Sequence, residues 1–238
     1  MISKQRLEEI EKLGVGIDHN DAFGGKSKGN LHLQRSARLA KYLAKKTGAD
    51  ESICEAGAWL HDTALPSGDD YDYQSNKKIV LELLEKIDIS QADREAVAEC
   101  VASHEGIVKP KTLEAQVVHD TDVLEKSGIL GLIRHTWKLT NSGKINPDKI
   151  DFAETNKVAD HILWRQSRLQ TTEGKKLSQN FSINLPLETI SKIVKLSAKL
   201  ASQGVITEVI AEKLVSVIPE KEYSILKKQL SQEYIYSN

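Results

Sequence analysis

The chemistry of this chain must rest on its histidines and aspartates, because it has no GxSxG elbow, no GxxxxGK[ST] loop, no HExxH and no CxxC. His61 and Asp62 close the segment AGAWLHD, where a charged pair follows five small or apolar residues. A carboxylate buried there without a partner is costly. A divalent cation removes that cost, since it favours the carboxylate and the neutral imidazole. The plainer alternative has His61 capping a helix and Asp62 starting the next turn, and the dipeptide recurs at His119-Asp120.

His32 lies in GNLHLQRSARLAKYLA, one helical turn before Arg35, so both side chains leave the same face. An imidazole beside a guanidinium can hold a metal and a phosphate together; an ordinary structural histidine is the alternative. Asp120 and Asp122, in VVHDTDVL, point about 200° apart on a helix and cannot easily share one metal. The expectation is that one faces the core and the other solvent, or that they lie on the rims of the site. Lys77 and Lys78 follow the polar segment YDYQSN and could meet an anionic substrate or form a solvated pair.

The elements that position these residues read as helices. Leu7, Ile10 and Leu13 recur at three-residue spacing, with Gly14 as the expected stop. Residues 15 to 29 carry four glycines and no period, so they read as a loop before a helix from about Asn30 to Lys46, closed by Gly48. Asp50 caps a central helix through ESICEAGAWLHDTA that ends near Pro66. A further helix starts at Ser75; Ser90 with Asp93 opens another that ends around His104. Thr112 begins TLEAQVVHDTDVLEK, with Gly128 and Gly131 expected to interrupt after it. The pattern stays helical from Asp148 through Leu169, and Pro186 and Pro219 each sit where a first helical residue would. Strand patterns are missing. The fold class is therefore all-α: a main helical domain over residues 1–180 and a small C-terminal helical extension over 185–238.

Composition narrows the function. With Lys+Arg 33 against Asp+Glu 34, the net charge of -1 offers no global field for nucleic acid or an anionic membrane. Basic stretches such as KLSAKL and SILKKQL read as solvated helix faces, so neither nucleic acid nor membrane is an expected partner. No apolar run approaches the ~20 residues of a spanning helix, and the charged start MISKQRLEEIEKLG is unlike a signal peptide. Cys54 and Cys100 read as buried thiols rather than a disulfide framework, which with the rest predicts a cytoplasmic protein.

The pattern His32, His61-Asp62, Asp122 resembles the HD-domain superfamily of metal-dependent phosphohydrolases. The turn HLQR, the lead AGAWLHD, the later SHEG at 103 to 106 and the segment TLEAQVVHDTDVLEKSGILG follow the family's order over roughly residues 30 to 135. ETNKVADHILWRQSRLQTTEGKKLSQN is similar to the region after the core in small stand-alone members. The resemblance implies an HD-like helical bundle and a metal held by His32, His61, Asp62 and Asp122, with Asp122 preferred over Asp120 by its match to the family's ADRL turn. Two His and two Asp leave open positions that suit Mn, Fe, Co, Ni or Mg, and a second metal is possible.

Hydrolysis of a phosphoester or pyrophosphate bond, with a nucleotide as the default substrate, is what the resemblance implies. Asp62 would also orient the attacking water, Arg35 would meet phosphate charge, and His104 would serve the leaving oxygen or a second metal. His104 as a helix-ending residue that suits the C-terminal dipole is the alternative. The competing function is a catalytically inactive HD bundle that binds a nucleotide or a partner, against which the intact ligand set argues. Monomer and homodimer are both open.

Overall fold

In the computed structural model, residues 1–236 are described, and they form thirteen α-helices with no strand among them. These are α1 (Lys4–Asn20), α2 (His32–Thr47), α3 (Glu51–Leu60), α4 (Tyr73–Leu84), α5 (Gln91–Ser103), α6 (Leu113–Glu125), α7 (Gly128–Asn141), α8 (Phe152–Gln166), α9 (Thr172–Ser178), α10 (Leu187–Ser202), α11 (Thr207–Lys213), α12 (Glu220–Ser231) and α13 (Glu233–Tyr236). None is long and apolar enough to cross a membrane.

Backbone contacts divide the chain into two compact units: residues 1–122 with 169–175, and residues 123–168 with 176 onward. The division falls inside α6, just after Asp122. In the first unit, α3 packs against α1, α2 and α5, while α4 pairs with α5. Its apolar centre includes Ile10, Leu39, Leu43, Leu60, Val80, Leu84, Val97 and Val101, all fully buried. In the second unit, α7 is flanked by α8, α10, α11 and α12. Leu130, Leu132, Ile133, Ile162 and Ile193 fill that core, and Gln229 Nε2 donates to the carbonyls of Leu124 and Ser127 at 3.2 and 3.0 Å.

Several helix starts follow from local capping. The Asp50 carboxylate accepts from the amides of Ser52 and Ile53, at 2.8 and 3.2 Å, satisfying two of the orphan donors of α3. Ser90 Oγ accepts from the Asp93 amide at 3.1 Å and opens α5 where the sequence places it. Pro186 and Pro219 stand one residue earlier than expected, as the caps themselves. α4 likewise starts at Tyr73 rather than Ser75, because Asp72 caps it through the Ser75 amide.

Gly14 and Gly131 behave differently from their sequence expectation. Gly14 does not end α1, which runs on through the region expected as loop to Asn20. A Cβ at Gly14 would lie 2.1 Å from the Trp59 carbonyl oxygen, so this glycine is there for close approach to α3. Gly128 stands at the break between α6 and α7 with a left-handed φ of 60°, as an interrupting glycine should, whereas Gly131 does not interrupt: it lies within α7, where a Cβ would stand 2.1 Å from the Lys126 carbonyl oxygen. At Gly14 and Gly131 a backbone contact with a neighbouring segment, rather than a change of chain direction, requires the missing side chain.

Candidate metal centre

Three helix ends in the first unit deliver the central side chains. His32 is the first residue of α2. His61 and His104 are the C-terminal caps of α3 and α5. Each of these two capping imidazoles uses Nδ1 on the carbonyl three residues back: His61 with Ala58 at 2.8 Å, His104 with Val101 at 2.7 Å. With Nδ1 donating to a carbonyl, neutral His61 carries its hydrogen on Nδ1 and has its Nε2 lone pair turned away from its own helix. Capping and ligation, which compete in the sequence, are compatible in this geometry.

The Nε2 atoms of His32 and His61 are 2.9 Å apart. The nearer oxygen of Asp122 lies 3.4 Å from the first and 3.3 Å from the second, and Asp62 Oδ2 lies 3.5 Å from both. All four side chains are almost completely buried. For donors held at ~2.1 Å from one cation, neighbouring donors are about 3.0 Å apart in octahedral geometry and about 3.4 Å apart in tetrahedral geometry. The imidazole–imidazole and imidazole–carboxylate separations of 2.9 to 3.5 Å span that range, and His32, His61 and Asp62 together have the spacing of a metal site.

A second trio lies beside it. His104 Nε2 is 3.7 Å from Glu105 Oε1 and 3.8 Å from Asp70 Oδ1, and its ring centroid is 5.3 Å from that of His61. Asp62 groups with Asp70 and His104, and Asp122 groups with His104 and Glu105, each set having the spacing of metal ligands. Burial alone would lower the His104 pKa; the adjacent Glu105 carboxylate, and then the charges of Asp70 and Asp122, outweigh it and raise the pKa to about 9.

Asp70 and Glu105 were not singled out from the sequence. Asp70 sits in SGDDYDYQ, a loop without a period, and nothing local distinguishes it from Asp69 and Asp72. Asn76 shapes that loop by donating to the carbonyls of Asp69, Asp70 and Asp72, at 3.1, 2.9 and 3.0 Å. Glu105 follows directly on His104 within SHEG, and that adjacency was the available signal.

The expectation that one of Asp120 and Asp122 faces solvent is corrected: their exposures are 0% and 1%. Asp122 joins the two histidines, whereas Asp120 turns the other way and accepts from the amides of Gln170 and Thr171, both at 2.7 Å. Arg35 is buried one turn along α2 from His32, where a guanidinium needs negative partners to be tolerated. Lys77 meets Glu99 at 3.4 Å and Glu95 at 3.8 Å across the α4–α5 contact, and Lys78 meets Glu82 at 3.8 Å. Glu99 also accepts from the Tyr73 hydroxyl.

A helical unit that gathers two buried histidines and two buried aspartates at metal-ligand spacing defines a class of α-helical domains able to hold a metal. Residues 31–127 match the family model of the HD domain, and the chain therefore carries an HD domain, the domain of a superfamily of metal-dependent phosphohydrolases. The fold is similar to that of a Lactobacillus plantarum protein, at 22% identity over 82% of this chain and 95% of that one, with a TM-score of 0.58. It is also similar to Bacillus subtilis YpgQ, at 19% identity over 74% of this chain and 88% of that one, with a TM-score of 0.55. YpgQ solved in complex with ADP matches at 21% identity over 74% of this chain and 89% of that one, with a TM-score of 0.53.

Proposed function

We propose that this protein is a metal-dependent phosphohydrolase that cleaves a phosphoester or pyrophosphate bond of a nucleotide. The observation that carries the reading is the approach of His32 Nε2 and His61 Nε2 to each other and to Asp62 Oδ2 and Asp122 Oδ1 at 2.9 to 3.5 Å, all four side chains buried within the HD domain. These four residues are the proposed ligands. Two neutral nitrogen and two carboxylate donors suit Mn, Fe, Co, Ni or Mg better than a closed thiolate site would. A divalent ion held there supplies Lewis acidity toward a phosphoryl oxygen and lowers the pKa of water.

The protein's own residues divide the remaining work. Asp62 has a second oxygen beyond the one that faces the imidazoles, and its role is to orient a water for attack while acting as a ligand. The carbonyl bond from His61 Nδ1 fixes the ring and its tautomer, so that Nε2 needs no reorganisation to bind. His104, whose pKa in the metal-free chain is raised to about 9 by the Glu105 carboxylate and then by Asp70 and Asp122, is the candidate to give a proton to a departing phosphate oxygen; with a second cation among Asp62, Asp70 and His104 it would instead be a ligand. Arg35 contributes fixed positive charge behind His32. The complex of YpgQ with ADP supports the nucleotide as substrate class.

The test is metal content of the purified protein, followed by phosphate release from a panel of nucleoside mono-, di- and triphosphates after chelation and addition of Mn, Mg, Co or Ni. Turnover restored by a divalent ion supports the reading. Stoichiometric metal without turnover on any phosphoester would favour an inactive nucleotide-binding bundle, and a chain that takes up no metal would sink the mechanism.

A further inference from the structure

Asp120 stands two residues before Asp122 on α6 and points to the opposite side of the helix, so it cannot reach the same ion. Its carboxylate is fully buried and both oxygens are in use. Oδ1 accepts from the Gln170 amide at 2.7 Å; Oδ2 accepts from the Thr171 amide at 2.7 Å and from Thr171 Oγ1 at 2.6 Å. Thr171 Oγ1 accepts in turn from the Gly174 amide at 2.9 Å. A Cβ on Gly174 would stand 2.5 Å from Asp120 Oδ2, so this clamp closes only over glycine. The segment it holds is unusual in the chain: residues 123–168 belong to the second unit, yet residues 169–175 return to the first.

The neighbouring position makes a matching contact on a third side of the helix. His119 Nδ1 lies 2.6 Å from the His104 carbonyl oxygen, and its ring packs where a Cβ of Gly106 would be, 2.8 Å from Cε1. Successive residues on a helix are separated by about 100° of rotation. Contacts from positions 119 and 120 therefore fix the rotation of α6 about its own axis, and that rotation places Asp122. A carboxylate oxygen about 5 Å from the helix axis moves by about 0.9 Å for a 10° turn, which exceeds the ~0.5 Å tolerance of a preorganised site.

We infer that Asp120 is a positioning residue: by clamping the Gln170–Thr171 backbone it sets the rotation of α6, and metal affinity at the centre depends on that clamp. The inference rests on the proposed reading of Asp122 as a ligand. Charge-assisted bonds of this length are stronger than neutral ones and leave a buried carboxylate no alternative partner without water entry.

Two substitutions weaken the clamp without touching the proposed ligands. Asp120→Asn keeps the shape and turns one acceptor into a donor that faces other donors; Thr171→Val removes only the hydroxyl. Thr171→Ser, which keeps the hydroxyl, is the rescue. Mn(II) affinity is measured by competition with a fluorescent chelator, and the hold on the segment by trypsin cleavage after the exposed Lys175 and Lys176. Expected are Mn(II) binding weaker by about 10- to 100-fold in Asp120→Asn and Thr171→Val, faster cleavage at Lys175–Lys176, and near wild-type behaviour in Thr171→Ser. Faster cleavage with unchanged Mn(II) affinity would make the clamp purely structural and overturn the inference, as would no change in either readout. If Asp120→Asn fails to fold by circular dichroism, Thr171→Val alone decides. A wild-type protein that binds no Mn(II) removes the ligand reading itself, a different failure that the same titration exposes.

Discussion

Replacing Asp122 with Asn keeps the side chain's shape and removes its charge. On the proposed assignment the carboxylate is one of four inner donors, 3.4 and 3.3 Å from the two imidazole nitrogens, and a neutral amide oxygen is a much poorer partner for a dication. Outer partners of metal ligands are already worth about 10- to 100-fold in affinity, so an inner carboxylate is worth at least about 100-fold. A protein with free metal at 100 times its Kd gains about 2.7 kcal/mol of stability. At that same concentration a site weakened 100-fold is half filled and gains about 0.4 kcal/mol. In a domain of 150 to 250 residues, 1 kcal/mol moves Tm by about 2–4 °C. The Mn(II)-dependent rise in Tm should therefore fall from about 5–11 °C in the wild type to about 1 °C in Asp122→Asn. Thermal unfolding of chelated protein, scanned with and without Mn(II), measures both, with the exposed Asp148→Asn as a control that retains the full rise. A full rise in Asp122→Asn would refute the assignment.

His61→Ala and Asp62→Ala should each abolish metal uptake while far-UV circular dichroism stays close to wild type; a fully active variant of either kind removes the proposed centre. In the metal-free protein, His104 is raised from 6.5 to about 9, so the stability it contributes is complete below pH 6.5 and lost as pH climbs through 9. The loss is on the order of 3 kcal/mol, seen as a falling Tm in chelator between pH 6.5 and 9.5, and a fall of the same size in His104→Asn would point to other groups. Gly14→Ala gains about 1 kcal/mol of helix propensity but drives a methyl into the Trp59 carbonyl, so a net destabilisation of about 2 kcal/mol is expected from the urea midpoint, and a stabilised variant would show that α1 can shift freely. Cys54 and Cys100 are fully buried, and burial raises both thiols above their ordinary range, so neither should react with a thiol reagent until the protein unfolds.

Local information was enough for much of this molecule. The all-α class follows from apolar residues at helical spacing, and the start of α5 from Ser90 and Asp93, because capping involves residues three apart in the chain. The HD pattern, with HLQR, AGAWLHD and SHEG in order, was likewise visible as residue types at helix ends. The carbonyl bonds of His61 and His104 reach only three residues back, so their aim too is a local property.

Other features depend on segments far apart in sequence, and no periodicity reports them. The need for glycine at position 14, inside α1 rather than at its end, follows from a carbonyl 45 residues away, at Trp59. Which of Asp69, Asp70 and Asp72 turns toward His104 is set by how their loop is folded back by Asn76. The two partners of Asp120 lie 50 and 51 residues downstream, so its type and spacing suggested a rim or surface position while the fold made it a buried clamp. The sequence by itself determined which elements form and which residue types could bind a metal. Tertiary structure alone decided that Asp70 stands beside His104 and that Asp120 clamps a distant backbone, because a side chain's position along its chain segment fixes its direction but not what stands opposite it.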